Sequence, residues 1–541
     1  MQEFLQCNHI LLSVPCQLHR RIYFAVFRAP EWRPGPAHML KGATIRKELS
    51  CFMDVQFGGI GVETLLYRDI VQSSVQSRVP LPENTPARSV LLSSAELTVY
   101  EVKCAAGSVE VLGELTMTLL CGGESGEPFG FTARSSFTQR VDVPGASETS
   151  RAKAAAQILE TECEPDGDAL AVSIVIELLL TVFSPDAKKL VTEVRMPAAE
   201  TKYRLLPVKK RATLGETNLR IRDEIAADGA CRVLAATGSA HTESVQFSGS
   251  NANIEGKLTI SLVAETEDGE LVTAAGTIPY RDSFSAVPGE NAVCRAFVRA
   301  LTVTAAEAAF GVCDVEAVIG MELIGVETHE MRVLADAYDP DASFTCSMSS
   351  IDLLTCEGLT ASTVRLSENL AVPKHLPEVN RPVFVSVTPA VTGTDGINGK
   401  LNVDAMLLVT AVYRCDGGFL HSFTEDVPVR LTLDALPSPL VTAGLTVLSA
   451  SLSGGGRLLT LDLALDVLAE RYLPERVEAV SEIVSGGEKP AERGILIYCA
   501  DAGETLWDVG KRFHTPVAAL QGWNAALESE LTEGQQVLLV R

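Results

Sequence analysis

The chain has no Cys-x-x-Cys pair, no Gly-x-x-x-x-Gly-Lys-Ser/Thr loop, no Gly-x-Ser-x-Gly elbow and no His-x-x-x-His pair. Those absences remove the usual sequence signatures of a zinc ribbon, a phosphate cradle, an α/β-hydrolase nucleophile and a helical zinc site. Basic side chains are scarce: 45 lysines and arginines face 69 acidic residues, a net charge of −24 that repels a phosphate backbone. Nucleic acid is therefore not an expected partner. No apolar run reaches the roughly 18 residues of a spanning helix. The nearest, Ala169 to Phe183, is interrupted by Ser173, Glu177 and Thr181 and reads as a buried strand. Glu3 stands where a signal peptide wants positive charge, so a cytoplasmic chain is expected.

Hydrophobic residues make up 46% of the 541 and charged ones 21%, the balance of a folded chain long enough for several cores. Thirteen cysteines are scattered from Cys7 to Cys499, an odd set with no framework spacing, and they read as small buried hydrophobes. The eight histidines are dispersed. His421 and Glu425 lie four apart, but Pro428 and strand-like neighbours argue against the helix that would bring them together. No catalytic residue, metal ligand or cofactor site is expected, and the chain reads as a binder, not an enzyme.

Internal similarity is the strongest positive signal. Val111-Leu112-Gly113-Glu114-Leu115-Thr116-Met117 resembles Ile254-Glu255-Gly256-Lys257-Leu258-Thr259-Ile260 and Ile397-Asn398-Gly399-Lys400-Leu401-Asn402-Val403, with 143 residues between successive glycines. Further on, Ile176 to Val194 matches Ile319 to Ala337, and Val477 takes the place of Leu190 and Val333 after a one-residue slip. Alternation after each glycine (Leu115, Met117, Leu119; Leu258, Ile260, Leu262) has the two-residue period of a half-buried strand. Turns are expected at 122–126, at 267–269 and at 416–418, each joining antiparallel strands, and Gly454-Gly455-Gly456 reads as another. Ser150 to Thr161 is alanine-rich and helical in composition, but its counterpart Leu445 to Leu452 reads as a strand, which favours strand for both.

These signals divide the chain into an N-terminal extension (1–55), three β-rich repeats (56–200, 201–345 and 346–484), a linker (485–494) and a C-terminal domain (495–541). The first 52 residues hold seven basic and three acidic side chains, a reversal that a start at Met53 and a basic binding arm explain equally well. Residues 485–494 have a solvated, glycine-containing composition. Beyond them the expected order is strand, helix, helix, strand. Ile495 to Tyr498 forms the first strand, and Thr505 caps a helix with Asp508 bonding back and with Leu506, Val509 and Phe513 on one face. Thr515-Pro516 starts a second helix carrying Val517, Leu520 and Trp523, and Val537 to Val540 closes the domain.

The run Tyr498, Gly503-Glu504-Thr505-Leu506-Trp507, Phe513, Leu520, Asn524, Leu531 and Gly534-Gln535 resembles a LysM domain. That resemblance implies a shallow groove for N-acetylglucosamine glycans, with Gly503, Glu504, Thr505 and Leu506 facing Asn524, Ala525, Ala526 and Leu527. Core and capping roles account for several of the same residues, and Trp507 and Trp523 suit either sugar stacking or core. The three repeats resemble the SPOCS domains of spore-coat-associated proteins of endospore-forming bacteria. Val143-Pro144-Gly145, Val287-Pro288-Gly289 and Asp336-Ala337-Tyr338-Asp339-Pro340 support that likeness. The fold class expected is thus mainly β, three tandem SPOCS-like repeats followed by a small α+β LysM domain. The combination implies a non-enzymatic adaptor of spore-coat assembly in the mother-cell cytoplasm at the forespore surface. Its LysM would dock a morphogenetic ATPase of the stage IV sporulation protein A kind, and peptidoglycan binding is the alternative.

Overall fold

The computed structural model describes residues 54–540 except 59–63, 84, 125, 185–189, 197, 307–310 and 489–493; the basic N-terminal stretch and Met53 lie outside the described residues. Over the described residues the chain is mainly β with two short helices. Strands β1 (Asp54–Gly58), β2 (Thr64–Pro80), β3 (Ala87–Ala105), β4 (Ser108–Gly123), β5 (Pro128–Asp142), β6 (Arg151–Asp166), β7 (Ala169–Ser184) and β8 (Leu190–Arg195) come first. A second set follows as β9 (Glu200–Ala226), β10 (Arg232–Ser248), β11 (Asn251–Glu265), β12 (Leu271–Ser285), β13 (Glu290–Ala305) and β14 (Val312–Tyr338). The third is β15 (Ala342–Ala371), β16 (Arg381–Ile397), β17 (Lys400–Arg414), β18 (Leu420–Leu433), β19 (Leu440–Gly455) and β20 (Leu458–Glu488). Last come β21 (Ile495–Cys499), α1 (Leu506–Phe513), α2 (Val517–Trp523) and β22 (Gln536–Val540).

One topology occurs three times. Strands β3-β4-β5, β10-β11-β12 and β16-β17-β18 are antiparallel meanders. The strand before each meander joins the hairpin after it, giving the sheets β2-β7-β6, β9-β14-β13 and β15-β20-β19. Each pair of sheets encloses its own core, with Leu115, Met117 and Ile176 in the first, Leu258, Ile260 and Ile319 in the second, and Leu407, Val409 and Leu465 in the third. Alternation dictates this, because every second side chain of the central strand points into the sandwich. The alanine-rich Arg151–Asp166 is strand, as its counterpart in β19 suggested: Ala152, Ala154 and Ala156 alternate onto the core. Ala169–Ser184 is the buried strand expected, and its Glu177 accepts from Gln157 Nε2 at 2.7 Å and Gln72 Nε2 at 2.9 Å.

The turns after the central strands fall where expected. Gly126, Gly269 and Gly418 have φ of 89°, 78° and 80°, and each amide donates to the carbonyl three residues back, on Gly123, Thr266 and Cys415. These turns also correct the third motif. Gly113 and Gly256 sit inside β4 and β11 beneath Phe137 and Tyr280, whereas Gly399 lies in the Asn398-Gly399 turn between β16 and β17. The residue occupying the corresponding place in the third unit is Ala405, opposite Val429. The displacement is six residues, an even number, so the same face stays buried and the two-residue period gives no warning.

Four strands far exceed the usual 3 to 10 residues: β9 and β14 have 27, β15 has 30 and β20 has 31. Their extra lengths leave the sandwiches and build a shared core in which Leu190, Val333 and Val477 meet Val208, Ile351 and Leu353. The three positions matched in sequence thus converge on one cluster. The stretch expected as linker, 485–494, begins as strand, since β20 stays paired with β15 up to Glu488 opposite Ala342. A further shared cluster joins Leu92, Ala235 and Phe384 of the three meanders.

Candidate functional site

The small C-terminal module has a core of Leu506, Val509, Leu520, Leu531, Val537 and Leu539 under the β21–β22 pair. Thr505 opens α1 with a complete capping box: its hydroxyl accepts from the Asp508 amide at 3.3 Å, and the Asp508 carboxylate accepts from the Thr505 amide at 2.9 Å. Burial pushes the Asp508 carboxyl up, but the bonds from Thr505 outweigh it and hold the group below its ordinary value. The second cap differs from expectation. Pro516 and not Thr515 occupies the N-cap of α2, and the Thr515 hydroxyl donates back to the Phe513 carbonyl at 3.3 Å. Trp523 at the end of α2 is 37% exposed, outside the core.

The expected groove residues divide into braced and open positions. Glu504 accepts from Tyr498 Oη at 2.8 Å and from the Asp501 amide at 3.0 Å, and pairs with Arg512 at 2.7 Å. The hydrogen bond to Glu504 raises the Tyr498 phenol. Asn524 donates to the carbonyls of Leu520 and Leu538 at 2.9 and 2.8 Å and accepts from the Leu538 amide at 2.8 Å, locking α2 to β22. Leu506 is buried and Leu527 leans on the same cluster. Thr505 is the cap. Gly503, Ala525 and Ala526 are exposed. The first loop runs beside 529–531, through Leu506 N to Ser529 O at 3.1 Å and Leu531 N to Glu504 O at 2.7 Å, while Leu506 and Leu527 meet through the core.

Sequence reasoning missed a second face of α1. Trp507 and Lys511 lie four apart on the helix opposite the core face, with His514 following as its left-handed C-cap, and the three meet the end of β14. Asp336 accepts from Trp507 Nε1 at 3.0 Å and from Lys511 Nζ at 2.6 and 2.8 Å. Tyr338 Oη donates to the Thr515 carbonyl at 2.8 Å, and Trp507 stands edge-on to the Tyr338 ring with centroids 5.0 Å apart. His514 Nδ1 lies 3.1 Å from the Asp339 carbonyl oxygen. Lys202, opposite Asp336 on β9, holds its ammonium 5.9 Å from the Trp507 ring. Gly510 permits the approach, because a Cβ there would come within 2.5 Å of Tyr338 Oη. The only available signal was the Asp336-Ala337-Tyr338-Asp339 segment, which marked a repeat without revealing its partner.

A cavity of about 1640 Å³ lies among the three β units, lined by Glu96, Gln157, His241, Arg295, Thr388 and Asp466, with residues of every unit contributing. Glu96 opens onto it, yet protein encloses the group on its other sides, and that burial pushes its carboxyl up to about 7. His421 and Glu425 both lie on β18, where the strand separates them. Among the described residues no group of three His, Cys, Asp or Glu side chains is placed to hold a metal ion, and no helix is long and apolar enough to cross a membrane. The ten cysteines within the described residues are free; Cys231 and Cys499 are exposed, contrary to the uniformly buried role expected of them. Comparison of the chain with protein-family models, with curated proteins and with solved structures finds no match.

Proposed function

We propose that this protein is a non-enzymatic adaptor of endospore coat assembly, SipL-like in architecture, whose C-terminal LysM-like module docks a morphogenetic ATPase of the stage IV sporulation protein A kind. The setting of that role is the mother-cell cytoplasm at the forespore surface, with three SPOCS-like units as the body. The observation that carries the reading is the pairing of a strand-helix-helix-strand module with three copies of one six-stranded topology. An adaptor suits such a chain, because units joined through shared apolar clusters hold partners at fixed spacing. The acidic field adds salt-sensitive attraction to basic patches on a partner.

The alternative is a glycan reader. Gly503, Ala525 and Ala526 leave small, exposed loop tips against which a sugar ring could lie. The discriminating experiment passes the purified full chain over the immobilised ATPase and, in parallel, over insoluble peptidoglycan, at two salt concentrations. Capture by the ATPase without glycan retention is the expected result; retention by peptidoglycan alone would overturn the adaptor reading in favour of wall binding.

A further inference from the structure

We propose that the outward face of α1 is a docking surface for acidic, tyrosine-bearing peptide segments, and that the protein's own Asp336-Ala337-Tyr338-Asp339 occupies it as a removable latch. The inference rests on the docked position of the module and not on the identity of any coat partner.

Three observations carry it. The contact is built from complementary chemistry: an indole N–H and an ammonium on α1 and the imidazole of its C-cap His514 meet a carboxylate and a phenol at the end of β14 and the backbone carbonyl of Asp339 just beyond it. Its charged rim is wet while its aromatic anchor is not: the Lys511 and Asp336 side chains keep 46% and 22% exposure, so water and salt compete for the pair, whereas Tyr338 is buried. Finally, the receptor segment belongs to the second unit, although the module follows the third in sequence. Where β14 ends with Asp336, Ala337 and Tyr338 and Asp339 follows, β8 ends in Glu193, Val194 and Arg195, and β20 ends beyond Glu482, Ile483 and Val484. At this strand end the second unit alone carries an acidic-aromatic sequence. The chain delivers the module to that place, because Glu488 at the end of β20 pairs with Ala342, three residues past Asp339, so the segment competes at the high effective concentration of a short tether.

A face occupied in cis binds an external ligand more weakly by the fraction of molecules in which it is free. The latch thus sets a threshold: a competing segment must match the contacts of Asp336 and Tyr338 to displace them.

The test uses the full chain with Trp32→Phe and Trp523→Phe, so that Trp507 is the sole indole, and reads its acrylamide quenching alongside binding of a labelled synthetic peptide, Leu-Ala-Asp-Ala-Tyr-Asp-Pro-Asp. Asp336→Asn is expected to increase quenching and to tighten peptide binding at least about tenfold relative to the unmodified latch. Adding Lys511→Glu should remove peptide binding. The exchanged pair Asp336→Lys with Lys511→Glu should restore protection of Trp507, which separates a charge latch from a general loss of structure. Unchanged quenching in Asp336→Asn overturns the proposal. Increased quenching without peptide binding overturns it as well.

Discussion

Glu96 illustrates how one side chain reports its surroundings. Its side chain is exposed to the central cavity, yet desolvation by the protein packed around it pushes its carboxyl up from an ordinary value of 4.5 to about 7. A carboxyl with a raised folded pKa binds its proton more tightly in the native state, so its contribution to stability declines as pH rises from about 4.5 to about 7 and is level above that. Glu96→Gln removes the ionisation. Its thermal midpoint is therefore expected to exceed that of the parent at pH 8 and to match it near pH 4.5, and melting curves across that range check the sign. Position 96 shows nothing unusual in sequence, where it is one polar residue of an alternating strand. Asn524 differs, because its place after a helix marked it as a cap, and the structure adds a second task in the bonds to Leu538.

Among the elements, the central strands show sequence and packing trading size. In the first unit a Cβ on Gly113 would stand 2.4 Å from Phe137 and 2.6 Å from the Thr98 carbonyl; in the second, one on Gly256 would stand 2.3 Å from the His241 carbonyl and 2.4 Å from Tyr280. The third unit uses Ala405 with the smaller Val429 opposite. Glycine below an aromatic ring and alanine below valine fill similar space. Gly113→Ala and Gly256→Ala should each cost about 1–3 kcal/mol through overpacking, measured by urea unfolding. Combining Gly113→Ala with Phe137→Val should cost less than the two changes added, because the neighbours couple. The alternating pattern made the strands legible, and turn glycines located the hairpins. Register was not legible, since a six-residue displacement preserves the buried face and disguised the Asn398-Gly399 turn as a strand glycine. Helix α1 was half legible: its capping box and core face follow from local spacing, whereas the Trp507 face needed a partner 171 residues away.

The whole molecule is held together where the units meet. Arg211 of β9 donates to Glu322 of β14 at 3.0 Å and to Glu470 of β20 at 3.2 Å, with all three side chains at or below 25% exposure. Burial works against the charge on Arg211, but the two carboxylates outweigh it and raise the group. Gln157 spans the first and third units by exchanging two 2.9 Å hydrogen bonds with the backbone of Val391, and Ser239 donates to the Leu448 carbonyl at 2.8 Å between the second and third. Arg211→Met leaves two carboxylates facing each other without their cation. The expected cost is about 3–5 kcal/mol, and hydrogen exchange should increase first along β9 and β20 at the junction; unchanged protection there would refute the role assigned to Arg211.

From sequence alone came the strand character, the threefold recurrence, the hairpin turns and the order of the C-terminal module, because alternation, turn chemistry and helix caps act over a few neighbouring residues. Tertiary structure decided the rest. The length of β9, β14, β15 and β20 follows from a core shared among units, in which no single repeat shows its partners. The central cavity exists only between folded units. The seating of α1 on Asp336 and Tyr338 depends on side chains far apart in the chain, whose attraction has no local period and becomes visible only once folding sets them face to face.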